Sequence, residues 1–232
     1  MRIEKVTNTT TMIDGEYTTV STKKLDGLQP SIITVSDLLS ESNITFPNYQ
    51  RPYKWEIKNV IQLVNDITTF KDKPAYRLGT VVIHLDDDKK EMNVVDGQQR
   101  TITLILLAKA TIAKYKAGHL TISNTGLKEQ LKTIESKMPQ PKFMNEITIK
   151  NIQRNYAEIE RLIASFDEEV VYFLFNKCEF VKCILTDISE AFQFFDAQNA
   201  RGKDLDPHDL LKAFHLREFS NKEKEFLNET VA

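Results

Sequence analysis

The pattern of this chain changes character within a few residues around position 97. The β-branched pair Val94-Val95 closes an extended run. Ile102, Leu104, Ile105, Leu106 and Leu107 then open a stretch that is apolar nearly all round. The first favours a strand and the second a central, buried helix. Asp96-Gly97-Gln98-Gln99-Arg100 between them is therefore a strand–turn–helix joint, and the fold must pack a sheet and a helix into one core. The first amides of a helix lack intrahelical acceptors and carry partial positive charge. Gly97 lets a ligand approach the backbone, and Arg100 adds a forked cation suited to phosphate. Gln98 and Gln99 can donate to phosphate oxygens or position a water, while Asp96 can hold a metal ion, orient Arg100 or cap the helix. Two readings of the residues stand: an anion site, or a plain tight turn with Gln98, Gln99 and Arg100 facing solvent.

The rest of the chain divides in two. In the first half, 31–35 and 43–46 read as short extended runs, with Ser36 or Asp37 capping a helical turn between them. The spacing of Ile57, Val60, Ile61, Val64 and Ile67 predicts an amphipathic helix over 55–70. Residues 78–85 and 91–95 read as a β-hairpin whose charged tip, with Asp86, Asp87 and Asp88, is a solvated turn. The second half is mostly helical. Leu127, Leu131, Ile134 and Met138 mark one helix, and Ile152, Tyr156, Ile159, Ile163 and Phe166 another. A strand is expected at 179–186 and helices at 189–199 and 207–219, the last started by Asp206 and Pro207. The expectation is an α+β fold, a small mixed sheet with helices followed by a mostly helical half. It divides into a polar arm or hairpin at 1–30, an α/β domain at 31–118 and a helical region at 119–232.

Of the 232 residues, 41% are apolar and 28% charged, with a net charge of −2. That describes a globular chain with a real core and excludes a bulk electrostatic nucleic-acid binder. No apolar run reaches the roughly 18–20 residues of a membrane span, and no signal-peptide core follows the start, so a cytoplasmic location is expected. Cys178 and Cys183 are the only cysteines. Their offset of five puts them on opposite faces of a strand, as buried thiols and not a disulfide or metal pair. His84, His119, His208 and His215 lack metal-ligand spacing, and no metal-ligating residue is assigned.

Two further constellations carry polar chemistry. In 46–55, two prolines hold an extended backbone that presents Tyr49, Gln50, Arg51 and Lys54 beside the only tryptophan, Trp55. Such a stretch can stack on a base and contact phosphate, or it can be a rigid loop packed on the core. In 195–212 a helix ends, a basic glycine turn follows and a capped helix starts. Asn199 and Arg201 can reach a ligand there, or Gly202 is a simple C-cap.

Taken together and in this order, the segments at 47–55, Leu78-Gly79, Asp96 to Arg100 and 195–212 resemble one family: the DGQQR-motif proteins typified by the S part of GmrSD-type (type IV, modification-dependent) restriction systems. The resemblance covers residues from about 35 to 215. It implies a ParB/sulfiredoxin-like domain that binds and hydrolyses nucleoside triphosphate, usually with Mg2+, as the regulatory part of an anti-phage restriction system. By carry-over, Asp96, Gln98, Gln99 and Arg100 form the catalytic motif. Tyr49, Gln50, Arg51, Lys54, Gly97, Thr101, Asn199 and Arg201 bind the nucleotide. The resemblance also allows DNA contact, a homodimer and a His-Me-finger nuclease domain or subunit as partner. None of the four histidines has proline three residues later, so the nuclease signature is not in this sequence. A non-enzymatic DNA-contacting or adaptor module is the alternative. A sulfiredoxin-like redox enzyme does not fit, because the turn has glutamine where that chemistry needs cysteine.

Overall fold

The computed structural model describes residues 6–13, 16–23, 30–47, 51–86 and 89–186, with backbone alone for the first two segments. Strands β1 (Val6–Ile13) and β2 (Glu16–Lys23) pair antiparallel in a two-stranded sheet of their own. The main sheet has five strands in the order β3-β7-β5-β6-β4. These are β3 (Ser31–Thr34), β4 (Ile44–Thr45), β5 (Tyr76–Asp86), β6 (Glu91–Asp96) and β7 (Cys178–Leu185). The sheet is mixed: β7 runs antiparallel to β3 and parallel to β5, β5 is antiparallel to β6, and β6 is parallel to β4. With the six α-helices this is the expected α+β fold.

Strand β7 comes from the second half of the chain, yet it lies inside the sheet, between strands of the first half. A strand covered on both faces must be apolar on both, and the cysteines show how. Cys178 and Phe180 join the principal core, while Cys183 and Leu185 join a small cluster with Val82 and Val95 on the other face. Both thiols are free and buried, as their spacing indicates.

The helices are α1 (Val35–Leu39), α2 (Ile57–Thr69), α3 (Gln98–Lys116), α4 (Thr125–Lys137), α5 (Glu146–Leu162) and α6 (Glu168–Asn176). Helix α3 is the buried centre, with Ile102, Leu104, Ile105, Leu107 and Ala108 at most 2% exposed. Helix α2 turns Val60, Leu63, Val64 and Ile67 to the same core. One cap differs from the sequence expectation. The N-cap of α1 is Thr34, not Ser36 or Asp37. Its Oγ1 accepts from the Asp37 amide at 3.1 Å, and Asp37 Oδ2 accepts from the Thr34 amide at 2.9 Å. This is a capping box in which Asp37 fills the third helical position. Helix α6 has no counterpart in the sequence reading. Asp167 caps it by accepting from the Val170 amide at 2.9 Å. In the β5–β6 turn, Asp86 accepts from the Lys89 amide at 3.1 Å, which holds its carboxyl below the usual range.

Candidate functional site

The joint at 96–100 has the strand–turn–helix form its sequence requires. Asp96 is the last residue of β6, Gly97 is the N-cap of α3, and Gln98 is the first helical residue. Gly97 has φ +86°, and a Cβ there would sit 2.9 Å from the Thr80 carbonyl oxygen and 3.3 Å from Val81 Cα. Only glycine suits both the left-handed backbone and the close approach to β5. Among the described residues no side chain caps this helix, which leaves Asp96 its two other roles. Intrahelical bonding starts where the Thr101 amide donates to Gly97 O at 3.0 Å. That leaves the amides of Gln98, Gln99 and Arg100 without intrahelical acceptors.

The arrangement in which the glutamines face solvent does not occur, since Gln98 is 8% and Gln99 7% exposed. Their amides have different surroundings. Gln98 Oε1 is buried with no partner among the described residues. Gln99 is fully engaged. Its Oε1 accepts from the amides of Lys54 at 2.7 Å and Trp55 at 3.2 Å, and its Nε2 donates to the Pro52 carbonyl at 3.1 Å. The second helical residue of the motif thus latches the second constellation onto the first. Thr101 is buried, and its hydroxyl donates to Gly97 O at 3.0 Å.

Helix α5 holds the same segment from its other side. Thr148 Oγ1 accepts from the Tyr53 amide at 3.0 Å, Asn151 Nδ2 donates to Tyr53 O at 2.8 Å, and Asn155 Nδ2 donates to Trp55 O at 2.8 Å. The Tyr53 hydroxyl, fully buried, continues the network inward. Thr103 donates its only hydroxyl proton to Gln99 O at 2.9 Å, so Tyr53 is the donor to Thr103 at 2.8 Å and accepts from Asn155 Nδ2 at 3.0 Å. Burial raises the Tyr53 phenol above its ordinary value, and the hydrogen bond it accepts from Asn155 opposes the shift. Sequence reasoning missed Thr148, Asn151 and Asn155. The legible signal was their i, i+3, i+7 spacing, which puts three small polar residues on one helix face.

Arg100 lines a cleft of about 170 Å³ with Trp55, Asn59, Gln62, Asp66 and Tyr76. The bulge in β5, where Arg77 pairs with Glu179 and Gly79 with Phe180, makes room for its guanidinium. A Cβ at Gly79, whose φ is +115°, would lie 2.7 Å from Arg100 Nη1. Among the described residues no carboxylate comes within ion-pair distance of Arg100. Burial draws its pKa down, against the pull of the Asp96 carboxylate and Tyr76 in the other direction. Arg100 is thus a half-buried cation without a direct carboxylate partner among the described residues, an arrangement suited to an anion.

The remaining sequence-predicted residues fall as follows. Arg51 and Lys54 are exposed, and Arg51 is not among the residues lining the cleft. Tyr49, Gln50, Asn199 and Arg201 lie outside the described residues, as do the expected helices at 189–199 and 207–219. Among the described residues, no three His, Cys, Asp or Glu side chains converge as a metal cage. No helix there is long and apolar enough to cross a membrane.

Fold and joint define an α+β domain in which a glycine turn carries a strand of the sheet into the central helix, with Arg100 at that helix's start. The model of the GmrSD restriction endonuclease N-terminal domain matches residues 35–216, and the chain belongs to this family. It is thereby a protein of a restriction system. No protein of curated function matches the chain.

Proposed function

We propose that the chain binds a nucleoside triphosphate where β6 meets α3 and hydrolyses it, as the regulatory part of a modification-dependent restriction system. The observation that carries this reading is Arg100, a desolvated guanidinium with no direct carboxylate partner among the described residues, seated over Gly79 beside the free amides of α3. Phosphoryl transfer needs positioning and charge stabilisation above all. Arg100 and the helix N-terminus supply the charge. With Gln99 engaged by the backbone of 52–55, the role of orienting the attacking water is assigned to Gln98, whose Oε1 has no partner among the described residues. Asp96 keeps Arg100 charged and oriented through the field it exerts on it.

A magnesium ion fits this site. Such an ion arriving with phosphates needs only one or two carboxylates, and Asp96, whose field reaches Arg100, is the carboxylate that would hold it. When bound, it would neutralise charge on the phosphate oxygens. Tyr49, Gln50, Arg51 and Lys54 are assigned to the nucleotide from the segment that Gln99 fixes, and Asn199 and Arg201 from the later turn.

The test is phosphate release from the full chain with each of ATP, GTP, CTP and UTP in Mg2+, with and without DNA, beside the Arg100→Ala variant. The expected result is turnover of at least one triphosphate, lost in Arg100→Ala while circular dichroism stays that of the parent. Unchanged turnover in the variant refutes the assignment. Binding without turnover reduces it to a nucleotide switch, and no binding at all favours an adaptor that contacts DNA or a nuclease subunit.

A further inference from the structure

The wall of the cleft opposite Arg100 is formed by helix α2. Its lining residues Asn59, Gln62 and Asp66 stand at i, i+3 and i+7, so they share one helix face. The apolar residues Val60, Val64 and Ile67 on the other side of α2 are in the core. Asn59 Oδ1 is engaged by the Glu56 amide at 3.0 Å, in the capping box of α2. Asp66 is fixed more firmly. The Tyr76 hydroxyl donates to its Oδ2 at 2.9 Å, and the Tyr76 ring is itself stacked on Phe70 with centroids 5.1 Å apart. Asp66 Oδ1 has no partner among the described residues.

Arg100 and a pre-oriented carboxylate therefore share one small cleft without forming an ion pair, while Arg77, which also lines it, is paired with Glu179 at 2.7 Å. A carboxylate repels phosphate, so the cleft is not filled by phosphate alone. It suits an anionic group on Arg100 joined to a neutral hydrogen-bond donor that reaches Asp66. Its volume of about 170 Å³ is below the roughly 300–1,000 Å³ of a pocket that encloses a whole small ligand, so it takes only part of a nucleotide. The part that joins a phosphate to neutral donors is the pentose.

We propose that Asp66, held by Tyr76, accepts a hydrogen bond from a ribose hydroxyl of the nucleotide whose phosphate lies on Arg100, and so makes the site selective for ribonucleotides over deoxyribonucleotides. This rests on the reading of the site given under the previous heading. A ribose hydroxyl that meets this pre-oriented carboxylate adds a charge-assisted hydrogen bond, which the deoxy analogue cannot make.

The test is equilibrium binding by the full chain of ATP, GTP, CTP and UTP, their 2′-deoxy and 3′-deoxy counterparts, and inorganic triphosphate, all at fixed Mg2+. The parent protein binds the preferred ribonucleotide roughly ten- to a hundredfold more tightly than one of its deoxy forms, which identifies the hydroxyl. Asp66→Ala brings that ratio close to one by weakening the ribonucleotide alone, and leaves inorganic triphosphate binding unchanged. Tyr76→Phe breaks the same tie between α2 and β5 but keeps the carboxylate, so it retains most of the discrimination. If Asp66 were merely structural, the two variants would lower ribo and deoxy binding alike, and that result overturns the proposal. So does a parent protein without preference, or an Asp66→Ala variant that loses both forms equally and recovers them at higher Mg2+. Absence of binding by any triphosphate, the inorganic one included, removes the underlying reading and this proposal with it.

Discussion

Gln99→Met is the perturbation that tests whether the central helix holds the 52–55 segment. Methionine keeps the length and volume of the side chain and removes all three hydrogen bonds to Lys54 N, Trp55 N and Pro52 O. Each such bond contributes about 1 kcal/mol net, and buried groups left without partners cost more. Lys54 is exposed, so water reaches part of the freed backbone and the loss stays near 2–3 kcal/mol. That is a large fraction of the roughly 5–15 kcal/mol that stabilises a domain. The assay uses the position of the only tryptophan, Trp55, which lies on the clamped segment. In urea at 25 °C, far-UV circular dichroism reports the whole core while Trp55 fluorescence reports the segment. In the parent protein the two transitions coincide. In Gln99→Met the fluorescence transition moves to lower urea than the dichroism, because the segment keeps its bonds to Thr103, Thr148, Asn151 and Asn155 but loses those to Gln99. Combined with Asn155→Ala, which acts on the same backbone at Trp55 O, the effects are non-additive by at least about 0.5 kcal/mol. Coincident transitions with a loss below about 0.5 kcal/mol would refute the clamp.

The two strained glycines separate stability from binding. Gly97→Ala meets left-handed strain of roughly 1–2 kcal/mol and a carbonyl oxygen of β5 that cannot move, so thermal unfolding shows a loss of about 2–4 kcal/mol. Gly79→Ala carries similar backbone strain, but its Cβ meets the end of the flexible Arg100 side chain, so calorimetric titration shows weaker triphosphate binding beyond the cost to stability. The Cys178 thiol is pushed up to about 12 by burial. It stays protonated and unreactive toward a disulfide reagent at pH 8 in the native state, and both cysteines react once urea unfolds the chain. A thiol whose folded pKa lies above its unfolded value stabilises the fold fully below about pH 9 and loses that contribution as pH rises toward 12. Melting temperatures of the parent protein then fall more steeply between pH 9 and 11 than those of Cys178→Ala; equal slopes would contradict the burial.

Much of the local structure is legible because period and punctuation are local properties. The spacing of Ile57, Val60, Val64 and Ile67 marks α2, the apolar run after Arg100 marks α3, and the β-branched segments flanking Asp86 mark the hairpin. Helix α6 was not legible, because a run such as Val170-Val171-Tyr172-Phe173 has no helical period and high strand propensity. Burial on the core outweighs that propensity, with Val171 and Phe175 fully buried. The sequence places the cap of α1 at Ser36 or Asp37, two or three residues past the observed Thr34, because both are themselves good caps and only the backbone shows Thr34 to be the non-helical residue.

The sequence by itself determined that a strand meets a buried helix at Gly97, that Arg100 stands at that helix's start, and that Cys178 and Cys183 lie on opposite faces of one strand. These follow from short-range periodicity and backbone sterics. Tertiary structure alone decided that β7 enters the sheet beside β5, that Gln99 and Asn155 grip one segment from opposite sides, and that Asp66 faces the cleft occupied by Arg100. Those outcomes depend on which faces pack across 34 to 102 positions of sequence. A polar residue on a helix looks the same in sequence whether its face meets water, a backbone or a cleft.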